Sequence, residues 1–268
     1  MYTIVLATQK GGSGKSTLAV GLAVAAQQAG HNVRVIETDR QGTLSNWQAR
    51  RHLAEPLVEA VYDAKMIEPR LEAFARGGVT VTIIDTASGI NAATTAAIRH
   101  CDLCLVPARP SVADIEATAP TLSVIRAWRK PFAFVLNQTP IRGGQRINDA
   151  TSSLDERAPR DIAEVLALPC INMRNDHQDA LAAGLGVTEF DAAGKSAQEL
   201  RSLWRWTIYK LAGDIVMHEA SELKDAGELT EIEFPIMLRP TAADIEPEAA
   251  TRAYPTWADN NVNWETGL

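Results

Sequence analysis

The run Lys10-Gly11-Gly12-Ser13-Gly14-Lys15-Ser16-Thr17 limits what this chain can fold into more than any other stretch of its sequence. It follows an apolar segment, Tyr2-Thr3-Ile4-Val5-Leu6-Ala7, and precedes the helical pattern Leu18-Ala19-Val20-Gly21-Leu22-Ala23. A strand, a glycine-rich turn and a helix start, in that order, surround a polyphosphate with backbone N–H groups and the positive end of a helix dipole. Gly11, Gly12, Ser13, Gly14, Lys15, Ser16 and Thr17 are therefore the candidate nucleotide-binding residues. Lys15 would place a point charge on the β and γ oxygens, and the Ser16 hydroxyl falls where it can ligate magnesium. Lys10 stands five positions before Lys15. A generic phosphate loop tolerates almost any residue there, so this extra cation marks a deviant form of the loop.

The remainder of the chain has room for one α/β domain and a tail. Its 268 residues are 46% hydrophobic and 22% charged, enough for a large core and too few for two full domains. Apolar runs at 3 to 7, 33 to 36, 79 to 84, 102 to 107 and 132 to 136 carry few interior charges, as expected of strands buried on both faces of a parallel sheet. Helical patterns at 16 to 29, 43 to 53, 66 to 76, 91 to 99 and 112 to 128 separate them. Repeated βα order predicts a doubly wound, mostly parallel sheet with its ligands at the carboxyl ends of the strands. The segment 139 to 145 reads as a joint, and helices at 177 to 184 and about 195 to 217 finish the domain.

The net charge of −7 is unevenly spread. Residues 1 to 218 hold 23 Lys or Arg against 22 Asp or Glu, whereas 219 to 268 hold 3 against 11. The expected division is a phosphate-loop domain over 1–217 and an acidic, proline-containing extension over 218–268, where Pro235, Pro240, Pro247 and Pro255 interrupt the pattern. Within that extension 232 to 238 could form an edge strand, and Trp257 and Trp264 could anchor it. A balanced body leaves nucleic-acid binding open in spite of a whole-chain pI near 5.3. Met1 leads directly into the first apolar run, without a signal stretch, and no run of eighteen apolar residues occurs. Cys101, Cys104 and Cys170 are odd in number and lie in apolar surroundings. Together these features predict a cytoplasmic protein with reduced thiols, and core packing for the Cys101/Cys104 pair, which has no second pair to complete a metal site.

Asp85 ends the run Val81-Thr82-Ile83-Ile84, where a magnesium-binding Walker B carboxylate belongs; a solvated strand-end aspartate is the bland alternative. Asp39 and Asn137 also end strand patterns, and each could be a simple turn former. Asp114 lies in Pro107-Ala108-Arg109-Pro110-Ser111-Val112-Ala113-Asp114, where Ser111 or Asp114 could cap the next helix.

Three segments, KGGSGKST, Val35-Ile36-Glu37-Thr38-Asp39-Arg40-Gln41-Gly42 and Ile83-Ile84-Asp85-Thr86, resemble the nucleotide motifs of ParA/MinD-type ATPases. The likeness is closest to the small ParA partition proteins and extends to about Met217. It implies an ATPase using ATP and Mg2+ that forms an ATP-dependent homodimer, with Lys10 reaching the partner's nucleotide in trans. By the same resemblance Lys10, Lys15 and Asp39 are catalytic. Ser16, Asp39 and Asp85 hold the magnesium, and Asn137 reads the adenine edge. Glu37 stands where many relatives have aspartate and Arg40 where proline is usual. The family further implies non-specific DNA binding by basic residues of the C-terminal helices, here Arg174, Lys195, Arg201 and Arg205, with Lys210 also available. Their alternative is an ordinary solvated helix face. A ParB-like or other adaptor would stimulate hydrolysis, and the protein would be associated with the nucleoid. The chain ends without a basic, bulky apolar helix, so no membrane role is expected. The expected function is segregation or positioning of a cargo, such as a plasmid or chromosome. The alternatives are an ATP-switched regulator or protein positioner that ignores DNA, and an ATP-using biosynthetic enzyme, for which no substrate constellation is visible.

Overall fold

The computed structural model describes residues 1–141, 149–152, 154 and 165–225, with the side chains of the last helix described through residue 213. In chain order the elements are β1 (Tyr2–Leu6), α1 (Lys15–Gln28), β2 (Val33–Glu37), α2 (Thr43–Arg50), β3 (Leu57–Ala60), α3 (Ala64–Arg76), β4 (Val81–Asp85) and α4 (Ala92–Arg99). They continue as β5 (Leu103–Ala108), α5 (Val112–Glu116), α6 (Ala119–Ala127), β6 (Phe132–Leu136), α7 (Asp176–Ala182), α8 (Val187–Phe190) and α9 (Lys195–Asp225). The six strands form one parallel sheet in the order β3-β2-β4-β1-β5-β6.

β1 is central because its residues are apolar on both faces. Ile4 and Leu6 point into a core shared with α1, Leu44, Trp47 and the Leu200–Leu203–Trp204 side of α9. Val5 and Ala7 point to the opposite core, built with Ile67, Ile98, Ile115 and Ile125. The period of two along each strand thus fills both layers, the doubly wound arrangement expected from the βα repeats. α1 is buried along Leu18 to Ala26, and Gly21 lets α9 come close: a Cβ there would lie 2.6 Å from Leu200 Cδ1.

Three elements differ from the sequence expectation. β3 is a strand that the apolar runs do not announce; it is short, half-exposed and contains Glu59, as an edge strand tolerates. The pattern at 112 to 128 is two helices, because Ala117 and Thr118 end α5 and Pro120 sits in the first turn of α6, where its missing N–H costs nothing. α9 runs beyond 217 to Asp225, across residues 214 to 225 that contain neither glycine nor proline. Cys101 and Cys104 are both buried in the second core, and burial pushes the Cys101 thiol up to about 12. Among the described residues no helix is long and apolar enough to cross a membrane. The expected edge strand at 232 to 238, the two anchoring tryptophans and most of the 139 to 145 joint lie outside the described residues.

Candidate functional site

The carboxyl ends of β1, β2, β4, β5 and β6 bring the separated candidates together. The phosphate loop leaves β1 and enters α1 through Gly14, whose φ of 90° is left-handed and favours glycine. A Cβ on Gly14 would lie 2.2 Å from Asn137 Nδ2, so the close approach also excludes a side chain. No acidic residue and no side-chain cap occupies the first turn of α1. Its leading N–H groups remain for an anion.

Lys15 is buried and its Nζ donates to Ser88 Oγ at 3.2 Å. Burial lowers its pKa, and the charges of Asp85 and Asp39 oppose that shift. Ser16 Oγ donates to Asp85 Oδ2 at 2.6 Å. Asp85 is fully buried, and its Oδ1 has no hydrogen-bond partner among the described residues. Burial raises this carboxyl to about 7, against the Ser16 hydroxyl and Lys15, with Glu37 and Asp39 pushing the same way as burial. A buried carboxylate with an orphaned oxygen beside a serine hydroxyl fits a divalent cation, whose charge would favour the ionised form. Ser16 and Asp85 therefore suit magnesium, and Asp39 is the next carboxylate of the site.

Asp39 lies in the loop between β2 and α2, where its Oδ1 accepts from Gln41 N at 2.9 Å and its carbonyl from Gly42 N at 3.1 Å. Both bonds shape the loop, so Asp39 is a turn former as well as a charge facing Lys15 and Asp85. At the other side of the loop, Asn137 Nδ2 donates to Ser13 O at 2.8 Å and Gln138 Nε2 to Gly12 O at 2.9 Å. Gln138 adopts a φ of 54°, which turns this pair back against the phosphate loop. The structure thus places Asn137 as a buttress of the loop carbonyls.

Lys10 Nζ is 2.8 Å from Asp114 Oδ2 in its own chain, and Arg109 Nε is 2.9 Å from Asp114 Oδ1. Ser111 also donates to Asp114, and Asp114 N donates back to Ser111 Oγ as the cap of α5. Burial pushes the Asp114 carboxyl up, but hydrogen bonds from Lys10, Ser111 and Arg109, with the Arg109 charge, outweigh it and hold the carboxyl below its ordinary value. The candidate DNA residues do not form one group. Arg174 is neutralised by Glu199 at 2.8 Å, and Arg201 donates to Ala192 O at 2.6 Å. Lys195 and Arg205 are exposed. Sequence reasoning missed Ser88, Arg109 and Gln138 as members of the site. Ser88 and Gln138 each closely follow a strand-end candidate, which is the signal that could have found them.

Residues 4–208 match the family model described as the CobQ/CobB/MinD/ParA nucleotide binding domain. Among curated proteins, the Maintenance of carboxysome distribution protein A of Halothiobacillus neapolitanus is 26% identical over 209 residues, covering 74% of this chain and 92% of that protein. Among solved structures, the ATP complex of a Cyanothece McdA variant superposes with a TM-score of 0.63 at 17% identity, covering 79% of this chain and 96% of the other. The septum site-determining protein MinD of Pyrococcus horikoshii, complexed with Mg-ADP, superposes at 0.57 and 17% identity, covering 79% and 97%.

Proposed function

The chain belongs to the CobQ/CobB/MinD/ParA nucleotide-binding family as a ParA/MinD-type ATPase working with ATP and Mg2+, and within that family we propose that it is a cargo-positioning or partition ATPase. In its cycle ATP joins two copies, the dimer binds duplex DNA without sequence preference, and an adaptor triggers hydrolysis and release. The observation that carries this is the second lysine of the loop: Lys10 sits at the phosphate loop yet is parked on Asp114 of its own chain, 35% exposed along its side chain. To reach a partner's nucleotide it must leave Asp114, which links nucleotide state to assembly.

The residues divide the work of phosphoryl transfer. The N–H groups of Gly11 to Ser16 and the Lys15 ammonium hold the β and γ phosphates. Ser16 and Asp85 would hold the magnesium, which when bound neutralises charge building on the phosphate oxygens. Asp39 orients the attacking water and accepts its hydrogen bond. Lys10 supplies further positive charge as an arginine finger does elsewhere. Asn137 and Gln138 hold the Ser13 and Gly12 carbonyls through their amide groups and so brace the phosphate loop; Asn137 in addition reads the adenine edge. Lys195, Arg201 and Arg205 on α9 contact DNA phosphates.

One observation favours a second reading, a positioner of protein cargo that ignores DNA: the pairing of Arg174 with Glu199 leaves the described basic face thin. Binding to a random duplex separates the two, measured with ATP, ADP or no nucleotide at two salt concentrations for the wild type and Lys10→Ala. The expected result is ATP-specific binding that weakens with salt and is lost in the variant. Nucleotide-independent binding, or none while ATP still makes dimers, would overturn the DNA reading.

A further inference from the structure

The carboxylate of Glu37 is completely buried at the carboxyl end of β2, and its oxygens are spent on another element. Oε1 accepts from Leu44 N at 2.7 Å, and Oε2 accepts from Ser45 N at 3.1 Å and from the Ser45 hydroxyl. These donors belong to the first turn of α2, whose N-cap, Gly42, has no side chain to satisfy them. A strand-borne carboxyl group therefore caps a helix that starts six residues further on, supplying acceptors to the first-turn N–H groups that the helix itself leaves unpaired.

The closed segment between these two anchors is Thr38 to Gly42, which carries Asp39. Its near end is held by Thr38 N donating to Asp85 O at 3.0 Å, and its far end by Glu37 through Leu44 and Ser45. Leu44 and Trp47 are buried in the core, so α2 cannot follow the loop if the loop drifts. Both Glu37 oxygens are occupied, unlike Asp85 Oδ1, so Glu37 is not placed as a cation ligand.

We propose that Glu37 is a positioning residue for hydrolysis: by capping α2 it sets the Asp39 loop in the geometry that orients the attacking water. The inference rests on the role of Asp39 in the ATPase cycle. Glu37 acts through Asp39 and does not touch the nucleotide, so its loss moves turnover and leaves nucleotide affinity in place.

The test uses the full chain as wild type, Glu37→Gln, Ser45→Ala and Asp39→Ala. It combines ATP turnover, affinity for a fluorescent ATP analogue, melting temperature and amide hydrogen exchange. Glu37→Gln keeps the acceptor for Leu44 N but turns an NH2 donor toward the Ser45 donors. Its kcat should fall about ten- to a hundredfold, with analogue affinity within about threefold of wild type and faster exchange over residues 38 to 46. Ser45→Ala should show the same pattern several-fold weaker, and it carries the test if Glu37→Gln does not fold. Unchanged turnover, unchanged exchange at 38 to 46, or a parallel loss of affinity, turnover and melting temperature would each overturn the proposal. If Asp39→Ala hydrolyses ATP like the wild type, the role of Asp39 falls, and with it the premise; exchange then reports only whether Glu37 holds the loop.

Discussion

At the scale of single residues, environment decides function more than residue type does. Three carboxylates crowd the ends of β2 and β4, yet they differ in partners. Glu37 caps a helix, Asp39 shapes a loop, and Asp85 keeps one oxygen unpartnered among the described residues. A buried histidine outside the site shows the same rule. His177 in α7 lies near Thr17, Gly21 and Val187, with Nε2 buried and without a hydrogen-bond partner among the described residues. Burial lowers its pKa; Glu199 and Asp176 oppose the shift and Arg174 reinforces it. A folded value below the ordinary 6.5 means that the unfolded chain takes up the proton first. The stability that His177 contributes is therefore complete above 6.5 and lost as pH falls from there through the lowered folded value. Urea unfolding between pH 7.5 and 5 should show falling stability, with a shallower slope in His177→Gln. An identical slope in both proteins would mean that other groups set the acid limb.

At the scale of elements, α2 is tied at both ends. Glu37 holds its start, and at its other end the Arg51 guanidinium makes a two-pronged pair with Glu189 at 2.7 and 2.8 Å. The same guanidinium donates to Glu55 O and Gly184 O and lies 4.9 Å from the Trp47 ring centre. The Arg51 side chain is 1% exposed. Removing one partner of such a pair leaves a buried charge, so Arg51→Ala should cost about 3–5 kcal/mol in denaturant unfolding. Arg70 pairs with Glu59 at the same 2.7 Å but both side chains are about two-fifths exposed, and Arg70→Ala should cost less than about 1 kcal/mol. Equal losses would show that geometry, and not burial, sets the value of an ion pair here.

At the scale of the whole molecule, the nucleotide site is assembled from five strand ends, so ligand binding should register as global stability. Mg-ATP at a hundredfold over its Kd should stabilise the protein by about 2.7 kcal/mol through mass action. The thermal melt should move up accordingly for the wild type, and Lys15→Ala or Asp85→Asn should lose most of the shift. A full shift in both variants would mean that the nucleotide binds elsewhere. The sequence by itself determined the phosphate loop, the buried parallel strands and Asp85 at the end of β4. Each is encoded by neighbouring residues: a glycine run between a strand and a helix, or an uninterrupted apolar stretch. Even so, β3 escaped notice, because an edge strand with one covered side needs no such stretch. Only the tertiary structure decided the pairs between distant segments. Lys10 meets Asp114, Asn137 meets the Ser13 carbonyl, and Glu37 meets the first turn of α2. The strand order puts β1 between β4 and β5, which makes neighbours of loops more than a hundred residues apart. Which polar groups then meet depends on that adjacency and on the few ångströms over which a hydrogen bond forms, and local sequence encodes neither.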